Sequence, residues 1–324
     1  MYITPPRFLP GDEIRIIAPS QSMAIVSSDC QQRATHRLEQ IGLTVSFGKN
    51  CASINDFNSS SIQERIADLH DAFEDKKIKG VLTVLGGYNS NQLLDNIDYS
   101  LIQANPKIFC GYSDITALQN AFLSKTGLVT YSGPHYSTFG CKLAVDWIIT
   151  QFQKATFHNQ LSEITPSHQW SDDLWYLNQD NRKFINNEGI WVISEGDAEG
   201  TIVGGNLSTL CLLCGTEYFP NMDKTILFLE DDFESHVNLF DRQLQQLTMQ
   251  PNFDKVRALV IGRFQNASKI TRTLLEQLIK SKDILKNIPI IANVDFGHTM
   301  PFFTYPIGGA ARVSANKKGA HLFI

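Results

Sequence analysis

Along the first half of the chain, short apolar runs alternate with segments of helical period. Glu13–Pro19 (EIRIIAP) has the length and β-branched content of a strand. Ile62, Ile66, Leu69 and Phe73 recur every three or four positions and predict an amphipathic helix. GVLTVL, at Gly80–Leu85, predicts a second strand, stopped by Gly86-Gly87. Lys107–Cys110 (KIFC) is a third; Ile115, Leu118 and Phe122 then mark one helix face, and Leu128–Ser132 (LVTYS) is again strand-like. Strand and helix in alternation imply a parallel sheet with helices on its faces, an α/β unit placed here at residues 1–155.

The pattern changes at residues 156–188, which are polar, rich in Ser, Asp, Asn and Gln, and contain Trp170 and Trp175. This stretch reads as a linker or a substrate-facing excursion. From 189 to 324 strands dominate: IWVIS, GTIVGG, TILFLE, ALVIGRF, IPIIANVDF and the terminal AHLFI. Two helices interrupt them, one carrying Val237, Phe240, Leu244 and Leu247, the other around Thr273–Ile279. A mixed sheet or partial barrel is expected there. The length of 324 residues agrees with two domains at roughly 150 residues each.

Composition narrows the chemistry. The net charge of −5 and scattered Lys and Arg leave no basic footprint for nucleic acid or an anionic membrane. The N-terminus lacks a basic segment followed by an apolar one, and no apolar run approaches the ~20 residues of a membrane span, so a cytoplasmic location is expected. Six cysteines then read as free thiols. Cys211 and Cys214 form a CxxC, but they sit in the apolar run LSTLCLLCG without a second pair, so they read as buried small hydrophobes rather than metal ligands or a redox couple. No metal and no cofactor is expected.

Candidate chemistry begins at KIFCGYSDITALQNAF, which reads strand, tight turn, helix. Ser113 in the turn would stand above the sheet at a helix start, similar to a nucleophile elbow, with Ile115 where the final glycine of GxSxG would fall. The N–H of Asp114 would then suit an oxyanion. The competing reading makes Ser113 a plain helix N-cap with Asp114 in the first turn. A serine nucleophile needs a histidine base and a carboxylate to orient it. His298 follows the strand IPIIANVDF and a glycine, at the strand end where open α/β sheets place their chemistry. His135, in the loop after Gly133-Pro134, stays open as a second candidate. Glu230 ends the apolar run TILFLE and is expected at a sheet edge facing a cleft, although an acid there also suits a solvated edge. Two glycine turns follow strands. Gly86-Gly87-Tyr88-Asn89 can present N–H groups to an anion, with Gly87 as second oxyanion donor and Gly86 and Asn89 as substrate contacts. Gly204-Gly205-Asn206 could bring Asn206 to a substrate, or be no more than a tight turn. The two tryptophans are loop anchors or flat surfaces for a ligand ring.

Taken in order, GGYNSNQLL, PKIFCGYSDITAL, GGNLSTL, LFLEDD, IGRF, VDFGHT and YPIGGAARV resemble the LD-carboxypeptidase family of serine peptidases over nearly the whole chain. The resemblance implies an N-terminal parallel, doubly wound, flavodoxin-like domain, a C-terminal β-rich mixed α/β domain, and an active site between them. It also implies Ser113 as nucleophile, Glu230 and His298 as its partners, oxyanion donors at Gly87 and Asp114, and a homodimer. The G-G-x-N-S-N turn is similar to the microcin C self-immunity branch, and Leu85 stands where many cell-wall LD-carboxypeptidases carry arginine. Ser171-Asp172-Asp173-Leu174-Trp175 resembles that branch's S-D-x-x-W loop, which implies Trp175 as a base-stacking residue and Asn206 as part of the nucleotide pocket. The expected reaction is hydrolysis of an amide between an acidic amino acid and a nucleotide-like group. Release of D-alanine from murein tetrapeptide is the alternative, and a non-catalytic peptide- or nucleotide-binding module is a third.

Overall fold

The computed structural model describes residues 2–158 and 162–324. The strands are β1 (Glu13–Ile17), β2 (Thr44–Phe47), β3 (Ile78–Thr83), β4 (Ile108–Gly111), β5 (Thr130–Ser132), β6 (Gln169–Trp170), β7 (Ile185–Asn186), β8 (Trp191–Ser194), β9 (Gly196–Asn206), β10 (Thr225–Glu230), β11 (Ala258–Gly262), β12 (Ile290–Val294), β13 (Tyr305–Ile307), β14 (Ala310–Asn316) and β15 (Gly319–Phe323). The helices are α1 (Ser28–Gln40), α2 (Ile62–Glu74), α3 (Tyr99–Ala104), α4 (Thr116–Thr126), α5 (Tyr136–Phe139), α6 (Asp146–Phe157), α7 (Leu207–Cys211), α8 (Val237–Thr248) and α9 (Arg272–Lys280). No helix among the described residues is long and apolar enough to cross a membrane.

The first sheet runs β2-β1-β3-β4-β5-β13. Its first five strands are parallel and follow the flavodoxin-like order 2-1-3-4-5. β1 buries Ile14 and Ile16 toward Ala34 and Leu38 of α1 and Tyr136 and Phe139 of α5. The opposite face packs Val81 and Phe109 on Leu69 and Phe73 of α2 and Phe122 of α4. α2 starts where the sequence calls for it: Ser61 accepts from the Glu64 N–H, and the Glu64 carboxylate accepts from the Ser61 N–H. The sixth strand is a departure. β13 lies late in the chain, inside the segment 189–324, yet pairs antiparallel with β5. Three residues carry too little periodicity to announce such a return.

The second sheet runs β15-β14-β9-β10-β11-β12-β8. β9 to β12 are parallel, with antiparallel strands on both sides. This is the mixed sheet expected, and its ends bend until β8 lies near β14 and β15, as in a partial barrel. Within the polar excursion, β6 and β7 form a two-residue ladder.

α4 lies between the two sheets. One hydrophobic core runs from α2 and the first sheet through α4 to Ile202, Leu227 and Val260 of the second. The sequence expected one apolar face on this helix. Instead, residues 116–122 are all buried, polar Thr116, Gln119 and Asn120 included. Each buried polar group has work to do. Gln119 donates to the carbonyls of Gly111 and Tyr131, and Asn120 donates to the Gly204 carbonyl at 2.8 Å and accepts from the Gly204 N–H at 3.3 Å. Thr116 Oγ1 accepts from the Asn206 N–H. Asn120→Ala strips two hydrogen bonds from the buried backbone of Gly204. It should cost about 3 kcal/mol in chemical denaturation, whereas Asn120→Ser, which keeps a hydroxyl there, should cost less.

Candidate active site

Three loops converge between the sheets. The first follows β4, where Gly111 leads through Tyr112 into a 3-10 turn at Ser113–Ile115 that continues as α4. Ser113 has φ +59°, a left-handed conformation unusual for a residue with a side chain. The strain fits an elbow rather than a cap, and the turn's cap position, Tyr112, makes no side-chain capping bond. Gly111 has to be glycine, because a Cβ there would lie 2.2 Å from Thr83 Oγ1.

The second loop follows β10. Glu230 is the strand's last residue, and it lies on a central strand with its side chain 3% exposed, not on a solvated sheet edge. Glycines on two neighbouring segments make room for it. A Cβ on Gly262 would approach Glu230 Cβ to 2.8 Å, and one on Gly297, which has φ +103°, would approach Oε2 to 2.7 Å. The third loop follows β12 and carries His298. Its Nδ1 lies 2.7 Å from Glu230 Oε2, and its Nε2 lies 3.0 Å from Ser113 Oγ. A carboxylate can only accept, so Nδ1–H donates to Glu230.

Two opposing effects set the protonation of His298. Burial disfavours its charged form, but the bonded Glu230 carboxylate, with Asp232 and Asp231 behind it, raises the pKa to about 9. Burial, reinforced by Glu230, also pushes the Asp231 carboxyl up to about 6. His135, the other histidine candidate, lies nearby but outside the relay. It is 3% exposed, its Nδ1 meets Thr83 Oγ1 at 2.7 Å, and its Nε2 has no hydrogen-bond partner among the described residues. Burial, followed by repulsion from His298, lowers its pKa to about 3. The Tyr112 ring lies between the two imidazoles, with centroids 4.5 Å from His135 and 5.4 Å from His298.

The remaining predicted residues divide. Gly86 stands beside Ser113, where a Cβ on it would come 3.1 Å from Oγ, and Gly87, next in the turn, adopts φ +153° and packs against Ser20 and Gln21. The turn is held by Asp114, whose carboxylate accepts from Ser20 Oγ at 2.6 Å and from the Ser90 N–H at 2.9 Å. The Asp114 N–H precedes the first hydrogen bond of its turn, made by the Ile115 N–H to the Tyr112 carbonyl. Asn89 is buried, and its Oδ1 accepts from Ser20 and from Arg65, so its carbonyl is committed to the protein. Asn206 is likewise 2% exposed and caps α7, with Oδ1 accepting from Thr209 and Ser208 and Nδ2 donating to Asp231. Only one Nδ2 hydrogen of Asn206 is left for any other partner. This closed local network had no sequence signature, because Asn206 and Asp231 are 25 residues apart.

Trp170 and Trp175 belong to the excursion, which is fastened to the body of the protein. Ser171 and Met300 exchange backbone hydrogen bonds of 2.7 and 2.8 Å two residues past His298. Asp173 pairs with Arg182 at 2.5 Å. Trp170 is an anchor under the Arg263 guanidinium, 5.1 Å from its ring, and Arg263 pairs with buried Asp295. Trp175 is half-buried and packs with Tyr112 on the apolar group of Val145, Met300 and Phe302. The CxxC reading needs an amendment. α7 ends at Cys211, which is buried, while Cys214 lies in the following turn and is partly exposed. Among the described residues no group of three or more His, Cys, Asp or Glu is placed to hold a metal ion.

A strained serine at a strand-to-helix turn, hydrogen-bonded to a carboxylate-paired histidine, defines a hydrolase-type site. Residues 14–133 match the LD-carboxypeptidase N-terminal domain and residues 199–313 the LD-carboxypeptidase C-terminal domain, and the chain belongs to this family of serine peptidases. The Bacillus subtilis (strain 168) protein YocD, which bears a provisional carboxypeptidase name, is 51% identical over 97% of both chains. Another protein of that organism, named as a probable murein peptide carboxypeptidase, is 32% identical over 96% of this chain and 91% of its own. Among solved structures, an MccF-like protein from Bacillus anthracis superposes with TM-score 0.98 at 49% identity over 99% of both chains. MccF in complex with glutamyl sulfamoyl guanosine superposes with TM-score 0.88 at 29% identity over 98% of this chain and 97% of its own.

The electrostatics can be checked directly. Histidine NMR titration should place His298 near pH 9 in the wild type. In Glu230→Gln burial remains while its compensating charge is lost, so the His298 pKa should fall below the ordinary value of 6.5.

Proposed function

We propose that the protein is a serine carboxypeptidase or amidase of the immunity type, in which Ser113, His298 and Glu230 act together on an amide joining an acidic amino acid to a nucleotide-like group. The unbroken relay from Ser113 Oγ through both nitrogens of His298 to Glu230 carries the reading. In its neutral form His298 Nε2 takes the Ser113 proton as Oγ attacks the carbonyl carbon. The N–H groups of Gly87 and Asp114 receive the developing oxyanion, aided by the start of α4. The C–N bond then breaks and the leaving nitrogen departs with the proton held by His298. Water, deprotonated by the same imidazole, releases the acyl group. Glu230 keeps the ring in place and stabilises its charge throughout.

The substrate class is supported by the relatives and by the loop. MccF has been solved with glutamyl sulfamoyl guanosine and with aspartyl sulfamoyl adenosine, which differ in base but share an acidic aminoacyl group. Trp175, half-buried on the same apolar group as Tyr112, offers a ring surface near the nucleophile for a base to stack on. Asn206, buried at the end of β9, would support this pocket through Asp231 rather than by its carbonyl.

The decisive assay compares glutamyl-sulfamoyl adenosine with murein tetrapeptide. Wild-type protein should cleave the nucleotide compound, and Ser113→Ala should lose at least about a thousandfold in kcat with little loss of binding. Cleavage of tetrapeptide alone would move the protein to cell-wall chemistry, and full activity of Ser113→Ala would end the triad reading. Since His298 must be neutral to act as base, the rate should climb with pH through about 9. Trp175→Ala should raise KM for the nucleotide compound by about tenfold through lost stacking, with kcat nearly unchanged.

A further inference from the structure

Behind Glu230 lies a cavity with about 10 Å³ open to the centre of a water-sized sphere, room for one molecule. Its polar lining consists of Glu230, Tyr112, Ser132 and Tyr305, and phenylalanine and glycine make up the rest. β-Sheet register builds this arrangement, because Tyr305 of β13 and Ser132 of β5 are direct partners across the antiparallel pair.

Tyr305 is unusual among the buried aromatics of this region. Its ring is 1% exposed and packs on Phe228, Phe296 and Phe303, with centroids 4.9 to 5.7 Å away. Phenylalanine would pack equally well there. The hydroxyl nevertheless sits in the core with no well-formed hydrogen bond among the described residues, the Ser132 hydroxyl lying close enough to interact with it. Such a group is costly unless something satisfies it. Burial pushes this phenol's pKa up; the Ser132 hydroxyl works against that rise and the Glu230 charge adds to it. Glu230 is itself half-used. Oε2 binds His298, and Oε1 has no hydrogen bond among the described residues. A carboxylate oxygen and two or three hydroxyls around a one-water cavity make a complete coordination set for that water.

We infer that Tyr305 and Ser132 are positioning residues for Glu230, acting through one water molecule held in this cavity. Tyr305 donates to the water, the water donates to the carboxylate oxygen that His298 does not use, and Ser132 completes the set. The carboxylate is thereby fixed on both oxygens, so its orientation toward the imidazole no longer depends on one bond. This explains why the chain returns to add β13 to the first sheet next to β5. The inference rests on the proposed roles of Glu230 and His298.

The test uses the full chain with Tyr305→Phe and Ser132→Ala, alongside wild type and Ser113→Ala, on glutamyl-sulfamoyl adenosine. Tyr305→Phe should fold with an unchanged aromatic core. It should lower kcat about tenfold at constant KM, the scale of one hydrogen bond to a charged group relayed by water. The midpoint of the pH–rate curve should move upward, because a carboxylate that loses a donor holds the imidazolium more tightly. The low-field proton resonance of His298 Nδ1–H, which needs no turnover, should shift in the same variant. Ser132→Ala should move each readout in the same direction by less, and carries the test if Tyr305→Phe proves unstable. Wild-type kcat, pH profile and resonance in both variants, with Ser113→Ala inactive, would overturn the inference and leave the triad reading standing. An active Ser113→Ala would instead sink the triad reading, and the resonance would still report whether Tyr305 reaches Glu230.

Discussion

The contact between His298 and Glu230 has to persist where water is largely excluded, and much of the architecture serves it. A buried carboxylate without a partner would be driven to take up a proton, and a buried imidazolium would be driven to lose one. Placed 2.7 Å apart, each supports the other's charge. The two come from the ends of different strands of one sheet, and Ser113 reaches them from the other sheet. The interface between the sheets must therefore be rigid to within a hydrogen bond's tolerance. α4 supplies that rigidity by being buried on all sides and tied by Asn120 and Thr116 to β9.

Glycine and strain follow from the same requirement. Gly262 and Gly297 make room for the Glu230 side chain, Gly86 lets a backbone approach Ser113 Oγ, and Gly111 lets the elbow turn against Thr83. Ser113 pays with a left-handed backbone, held by bonds to its neighbour: Asp114 gathers Ser20 and Ser90, and Ser90 Oγ donates to the Asp114 carbonyl. The acid after the nucleophile is thus a brace for the elbow and for the Gly86-Gly87 turn at once.

The excursion after α6 also acquires a physical role. Its composition suggested a linker, but Arg263 and Asp295 form a buried pair that grips it. Asp295 accepts from the Ser167 N–H and from Asn187 Nδ2, on either side of the two tryptophans. Ser171 and Met300 then fasten its middle to the loop carrying His298. The segment that carries Trp175 is thereby tied to the loop that positions His298.

Local pattern alone determined a good deal of this protein. The parallel α/β half, the strands of the second half and the apolar faces of α2 and α8 could be read from runs and periods, because those signals lie within a few residues of each other. The serine, glutamate and histidine could be picked out one by one as residues that end strands, and their order and motifs pointed to the family. Tertiary structure alone decided what joins residues far apart in sequence: that β13 returns to the first sheet, that α4 is buried all round, that Glu230 lies inside the sheet and not at its edge, and that Asn206 and Asn89 are occupied by the protein itself. It also set His135 apart from His298. Both stand a few residues after a strand and a glycine, so local sequence treats them alike. One faces a buried carboxylate and the other a threonine hydroxyl, and only the three-dimensional arrangement of charge separates a raised imidazole pKa from a lowered one.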